Sequence, residues 1–307
     1  MTQNLAWTFP LTRTHTGVPL GNGRTGLIVW GGGSTLRITV GRADLWDHRG
    51  GMPWTERQNY HDIRACLEAD DEAGIRDLFR PETARTPGQP AKPSVLPLGR
   101  IDLTLAEGWE LTSARLELEA GEVHVGYARG EAKKEMRVSL HPEHDLAWVV
   151  NVADVASVAA VTSWDLLGDR LESLSFEPPV ALAGAADDGP AGGWFWALPN
   201  DPGVWVAWGA ASRAAAERAP GGPSRHDALA IVAGRAPDAP GADGARAAAL
   251  ASVDLESARD EARSWWRRYW QRVPRIDLPN ALMQEIHDYG LYLFAGLTNP
   301  NGVAATL

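Results

Sequence analysis

Pro19-Leu-Gly-Asn-Gly-Arg-Thr-Gly-Leu-Ile-Val-Trp-Gly-Gly-Gly-Ser-Thr-Leu-Arg-Ile-Thr-Val-Gly-Arg-Ala-Asp-Leu-Trp-Asp47 is the stretch whose reading decides the fold. Leu27, Ile28, Val29 and Trp30 form a short apolar run between Gly26 and Gly31-Gly32-Gly33. Leu36, Ile38 and Val40 then alternate with Thr35, Arg37 and Thr39, the period of a half-buried strand. Glycine takes the positive φ of a tight reversal at little steric cost, so the segment reads as turn, strand, turn, strand, turn. Gly21-x-Gly23-x-x-Gly26 also fits a dinucleotide-binding fingerprint. That motif needs a helix N-terminus behind it to hold pyrophosphate, and a β-branched strand follows here. The nucleotide reading fails.

Residues 95–153 repeat the pattern. Ile101, Leu103 and Leu105 keep period two, as do Leu116 and Leu118, then Val123, Val125 and Tyr127, then Met136, Val138 and Leu140; Leu146 to Val152 is a continuous apolar run. Gly108, Gly121, Gly130 and Pro142 separate these segments at hairpin spacing. Such a meander forms antiparallel sheet, and so many strands need a second sheet to cover their apolar face. Trp194–Leu198, Val204–Trp208 and Leu229–Val232 supply further strands, and Trp7 and Phe9 anchor a first edge strand. The fold class predicted is therefore mainly β, a large antiparallel two-sheet β-sandwich over residues 1–250. Helical spacing of Ile63, Leu67, Ile75, Leu78 and Phe79 places two short helices within 60–80, the second capped by Asp70 or Asp71. The Ala/Gly/Pro-rich pieces 184–193, 209–225 and 234–247 read as surface loops.

Beyond Asp254 the period changes. Leu255, Ala258, Ala262, Trp265, Trp266, Tyr269, Trp270 and Val273 form a helical stripe with Asp254 as N-cap and Pro274 as terminator, a linker helix within 251–277. A second helix starts near Pro279 and occupies 278–307. Leu282, Ile286, Tyr289 and Leu293 share one face, while Met283, Leu291 and Phe294 lie elsewhere, so this helix is apolar nearly all round and belongs in a larger helical assembly.

Composition narrows the function classes. With 22% charged and 44% hydrophobic residues the chain is an ordinary globular one. A net charge of −10 repels phosphate backbones, so nucleic acid is not an expected partner. No apolar run reaches the roughly 20 residues of a membrane span, and no basic start precedes an apolar core, so the default location is cytoplasmic. The single cysteine, Cys66, excludes an intrachain disulfide or a cysteine metal cluster and reads as a small buried hydrophobe. The 14 tryptophans are both core fillers and candidate platforms for a sugar ring.

The Pro-Leu-Gly-Asn-Gly-Arg-x-Gly opening, the two strands after it and Asp44-Leu45-Trp46 resemble the start of the N-terminal β-domain of six-hairpin glycosidases, most closely glycoside hydrolase family 95, the α-L-fucosidase family. That family's usual Asn-Glu-Asp-x-Leu-Trp segment stands here as Gly41-Arg42-Ala43-Asp44-Leu45-Trp46. The Trp-rich linker helix, then Asp288 to Gly296 and Asn299 to Ala305, resemble the family's linker and the first helix of its (α/α)6 barrel. The resemblance implies an inverting enzyme that hydrolyses O-glycosyl bonds such as α-L-fucosides, or a phosphorolytic sibling on the same two-domain plan. It places the catalytic acid and base in the barrel beyond Leu307, so no catalytic residue and no cofactor is assigned here. Carbohydrate is then met chiefly through that barrel, and the C-terminal helices, lacking it, are expected to fold back on the sandwich, pair with a second copy or be disordered. The alternative is a free-standing carbohydrate-binding or structural sandwich without activity.

Within the chain the candidate sugar contacts are Arg42, Asp44, Trp46 and Trp54, grouped around the Gly50-Gly51 loop. An indole can stack on a ring while Asp and Arg bind hydroxyls. The competing reading makes Asp44 and Asp47 structural partners of Arg42 and Arg49 and puts Trp46 in the core. His141-x-x-His144-Asp145 straddles Pro142 at a hairpin turn, where surface polar residues belong, and no further ligand is identifiable, so no metal is expected.

Overall fold

The computed structural model describes residues 4–50, 58–79, 88, 90, 92–182, 191–211, 228–274 and 276–298. In chain order the elements are β1 (Leu5–Thr8), β2 (Val18–Gly21), β3 (Thr25–Gly32), β4 (Thr35–Arg42), β5 (Trp46–Asp47), α1 (Tyr60–Glu68), α2 (Glu72–Leu78), β6 (Ser94–Val95), β7 (Gly99–Leu105), β8 (Glu110–Glu117), β9 (Glu122–Arg129) and β10 (Ala132–Leu140). They continue with β11 (Leu146–Val150), β12 (Val155–Thr162), α3 (Ser163–Ser173), β13 (Val180–Ala181), β14 (Gly192–Trp196), β15 (Gly203–Ala211), β16 (Ala228–Ala236), α4 (Ala239–Ala251), α5 (Leu255–Arg272) and α6 (Ala281–Leu297).

Two antiparallel sheets face each other. One has nine strands in the order β1-β8-β9-β10-β11-β16-β15-β14-β13 and the other five in the order β12-β7-β4-β3-β2. The Gly-rich opening of the chain supplies the β2-β3-β4 meander of the smaller sheet. Its register sets Val29 beside Ile38, and Ile38 beside Ile101 of β7. These three and Leu103 are fully buried against Leu116, Val123, Val138 and Val149 of the larger sheet. Each such side chain contributes about 1.5–3 kcal/mol by leaving water, and a slip of one residue would turn the whole set outward.

The larger sheet is covered on its outer face as well. Leu255, Ala258 and Ala262 of α5 pack on Trp148, Val150 and Ala230, and Ala242 of α4 packs with Trp205, Val232 and Ala236. Here the sequence expectation needs correction, because residues 234–247 are not a surface loop. They hold the end of β16 and most of α4, an alanine-rich helix whose small side chains let it lie close on the sheet. A second helix, α3, also stands where only strands were expected. Thr162 and Asp165 close a capping box at its start, each satisfying a backbone N–H that the first turn leaves unpaired.

The remaining helices follow the expected pattern. Asp71 caps α2, accepting from the Gly74 N–H. Asp254 caps α5, accepting from the N–H groups of Glu256 and Ser257, and α5 ends just before Pro274. Asn280 caps α6, one residue beyond Pro279.

Helices α5 and α6 dock at one end of the sandwich through their aromatic residues. Trp270 Nε1 donates to the Leu118 carbonyl (2.8 Å), Tyr269 OH to the Leu291 carbonyl (2.6 Å) and Tyr292 OH to the Pro19 carbonyl (3.0 Å). The face of α6 turned to the sandwich carries Asp288, Tyr292 and Ala295, all buried. Its other side leaves Leu282, Met283, Ile286, Phe294 and Leu297 exposed, Phe294 at 63%.

The docking of Trp266 depends on Gly121 in the β8–β9 turn. A Cβ at Gly121, whose φ is +61°, would stand 2.2 Å from the indole, whereas at Gly130, with φ +58°, it would meet nothing within 4 Å. Both alanine variants bear the left-handed cost of roughly 1–2 kcal/mol. Gly130→Ala should lose about that much in chemical denaturation and Gly121→Ala clearly more, and equal losses would refute this account of the helix docking.

Candidate functional site

The β2–β3 turn and the β10–β11 turn meet where the two sheets come together. Asn22, almost wholly buried, donates through its side-chain amide to the carbonyls of His141 (3.0 Å) and His144 (2.9 Å). Its Oδ1 accepts from the N–H groups of Arg24 (3.0 Å) and Thr25 (2.7 Å). One amide thus satisfies four backbone groups. Beside it the Asp145 carboxylate accepts from Arg24 Nε (2.8 Å), Thr25 Oγ1 (2.7 Å) and Arg42 Nη1 (2.9 Å). Arg42 also holds both oxygens of Asp44 at 2.8 Å. Burial alone would raise the pKa of Asp145, but the Arg42 charge and the three donors outweigh it and hold the carboxyl below its ordinary value. Burial likewise opposes the charge on Arg42, and its pairing with Asp44 and Asp145 more than restores it.

The candidate sugar contacts fall into two settings. Arg42, 5% exposed, and Asp44 engage each other and Asp145, which ties them to structure. Arg49 pairs with Asp47 in the same way (2.9 Å) and lies 4.7 Å over the Phe176 ring. Trp46 is half-buried, and its Nε1 donates to the Ala43 carbonyl (2.9 Å). It lines a mainly apolar cleft of about 360 Å³ together with Pro19, Leu20, Arg24, Tyr292 and Leu297, and the lining includes neither Arg42 nor Asp44. Trp54 and the Asn299–Ala305 segment lie outside the described residues. Sequence reasoning passed over Arg24, whose signal was its place in the Gly-Asn-Gly-Arg turn. Asp44, Asp47 and Asp145 are each taken by an arginine, so none is a free acid or base.

His141 is a correction. It was expected at the surface of a hairpin turn, yet it is 1% exposed, because the turn folds under α5. Its Nδ1 accepts from the N–H groups of Glu143 and His144, both at 3.1 Å, which leaves the ring proton on Nε2. Nε2 faces Glu261 Oε2 at 3.5 Å. His141, His144 and Glu261 bring one ligand atom each within 4.8 Å of one another, the spacing of a metal centre. A metal-bound histidine, however, keeps its proton on the other nitrogen and donates it, and here that nitrogen is an acceptor. A second such group, Glu117, Glu122 and His124, is bound up with Arg115, Glu135 and Arg137 in an ion-pair network.

Acid should loosen this junction in two steps. Burial and the neighbouring His144 push the His141 pKa down, so the unfolded chain takes up its proton first and stability falls as pH drops below about 6.5. Asp145 contributes stability that is fully present above about pH 4 and is lost as pH falls through its lowered folded value. Removing one partner of such a pair costs about 3–5 kcal/mol. Asp145→Asn should show that loss at neutral pH and a flattened limb below pH 4 in denaturation measured against pH, and a wild-type acid limb would contradict the assignment.

Residues 5–161, essentially β1 through β12, match the family model described as Glycosyl hydrolase family 65, N-terminal domain. The family that this match names is 65, not the 95 of the sequence resemblance. Among curated proteins nothing matches. Among solved structures, a putative kojibiose phosphorylase from human microbiome aligns with a TM-score of 0.49 and 8% identity, covering 96% of this chain and 39% of that one. The chain thus spans about two-fifths of the length of that structure. On the family match over half its length, the chain belongs to glycosyl hydrolase family 65 through the family's N-terminal domain.

Proposed function

We propose that residues 1–250 are the non-catalytic sandwich of an enzyme that cleaves O-glycosyl bonds by hydrolysis or phosphorolysis. Residues 251–277 then serve as linker helix and 278–307 as the first helix of a following (α/α)6 catalytic domain. The family match over 5–161 carries this reading. It is supported by the arginine-bound state of Asp44, Asp47 and Asp145, which leaves the acid and base of an inverting cleavage to come from elsewhere. The exposed apolar stripe of α6 supports it too, since a side of that kind is made to be covered. The resemblance of Pro19–Trp46 to family 95 keeps α-L-fucosides among the substrates. Trp46 remains the sugar contact of this proposal, with Arg42 and Asp44 shaping the loop before it. A free-standing carbohydrate-binding sandwich is the second reading, favoured by the cleft beside Trp46.

The purified 307-residue chain should release no aryl alcohol from a panel of aryl glycosides that includes the α-L-fucoside, with or without inorganic phosphate. General acid and base assistance are each worth about 10²–10⁴ in rate, and this proposal places both groups in the following domain. Turnover that a carboxylate substitution within 1–307 abolishes would overturn the proposal.

The same chain should self-associate through α6. Ile286→Asp with Phe294→Asp should convert it to a monodisperse monomer by light scattering without lowering its melting temperature. Association unchanged by that pair would show that the stripe is not the sticky surface.

A further inference from the structure

On the outer face of the larger sheet, where the β10–β11 turn meets the start of α5, lies a cavity of about 430 Å³. Leu146, Trp205 and Val232 are among its apolar lining, and His141, Ser252 and Glu261 among its polar lining. One buried donor at this cavity, Nε2 of His141, has no acceptor among the described residues, and the indole of Trp205 lines the cavity beside it. The His141 tautomer is fixed, because Nδ1 already takes two backbone N–H groups. Its Nε2–H is therefore a donor directed at Glu261 Oε2, and 3.5 Å is too long for a good hydrogen bond. Glu261 Oε1 accepts from Ser257 Oγ at 2.8 Å, which leaves Oε2 as the oxygen toward the histidine. An unmet buried donor costs about 1–3 kcal/mol.

The chemistry of the walls selects the guest. An anion would face the carboxylates of Asp145, Asp254 and Glu261. A metal ion would need the Nε2 lone pair, which the fixed tautomer does not offer. At 3.5 Å no oxygen fits between Nε2 and Oε2, but the Glu261 side chain is more than half exposed. Once it turns aside, a hydroxyl oxygen can accept from His141 Nε2–H while its hydrogen goes to the shifted carboxylate. The apolar lining then suits a guest with a C–H face as well as hydroxyls. We propose that this cavity binds a neutral saccharide unit, with His141 and Glu261 gripping one hydroxyl and Trp205 against the ring. It is separate from the cleft beside Trp46, and it stands whether or not the catalytic reading does.

The test is ligand-observed saturation-transfer NMR on the full 307-residue chain with D-glucose, L-fucose and maltose, each titrated through the millimolar range. Glu261→Ala and Ser257→Trp change exposed positions on α5, and circular dichroism confirms that both variants stay folded. At least one sugar should bind saturably, about tenfold more weakly in Glu261→Ala, which corresponds to about 1.4 kcal/mol, and not at all in Ser257→Trp, where the indole fills the cavity. Three sugars without saturable signal, or binding indifferent to both variants, would overturn the site. So would stoichiometric Zn²⁺ binding lost in Glu261→Ala, because the cluster would then be a metal centre.

Discussion

A buried amide and a buried carboxylate hold the two sheets in relation to each other. Asn22 and Asp145 come from different sheets' turns, yet they join the β2–β3 turn, the β10–β11 turn and the end of β4 in one network. Apolar packing between sheets has no direction and tolerates sliding. A network that meets every donor and acceptor does not, because each displaced partner would leave a buried polar group unpaired. The network therefore sets where both candidate binding surfaces lie. Arg24 joins it to the cleft beside Trp46, and Asp145 joins it to the cavity beneath α5. A change at either turn would reach both.

On the side of the β2–β3 turn that meets α6, close approach governs the packing. Gly21 and Gly296 pass with so little room that a Cβ on Gly21 would stand 2.5 Å from the Gly296 carbonyl oxygen, and the Gly23 N–H donates to that oxygen at 2.7 Å. Trp266 stacks on Tyr292 at 5.3 Å between ring centres, and Tyr292 reaches the Pro19 carbonyl. The glycines that make the first hairpin thus also seat the last helix. That gives α6 a fixed orientation on the sandwich with its apolar stripe outward, and whatever covers the stripe is oriented with it.

The strands were legible because antiparallel sheets with one buried face write period two into the chain, as Leu36-Ile38-Val40 and Met136-Val138-Leu140 do. The caps at Asp71 and Asp254 were legible for a similar reason, since a cap is a local act of one side chain on the next turn. Helix α3 hid behind β12 because its capping box, Thr162 with Asp165, was not read as a start signal. Helix α4 hid because alanine and glycine carry little amphipathic contrast, and Pro240, Gly241 and Gly244 read as loop although the alanines favour helix. The site was least legible. Asp145 meets Arg24 across 121 positions and Arg42 across 103, and nothing local in His141-Pro142-Glu143-His144 says that α5 will close over it. Distance along the chain, not chemistry, concealed these contacts: the residue types at the Gly-rich loop were the right ones for charge pairing, and they pair with each other.

Satisfaction of polar groups then separates structure from function in this domain. Arg42, Asp44, Asp47, Arg49 and Asn22 are rich in hydrogen-bonding capacity, and the protein consumes it internally. Groups so committed would have to abandon buried partners to take a ligand, at a cost that a weak sugar contact could not return. His141 is in the opposite position. Its acceptor nitrogen is locked to two backbone amides, its donor nitrogen is left facing a carboxylate just out of reach, and both residues line a cavity. Rigidity on one side of the ring and an unmet donor on the other are the conditions under which a hydroxyl can bind with no more than a turn of the exposed Glu261 side chain. The chemistry of the sandwich is therefore to be sought at the buried histidine rather than at the more conspicuous charges of the Gly-rich loop.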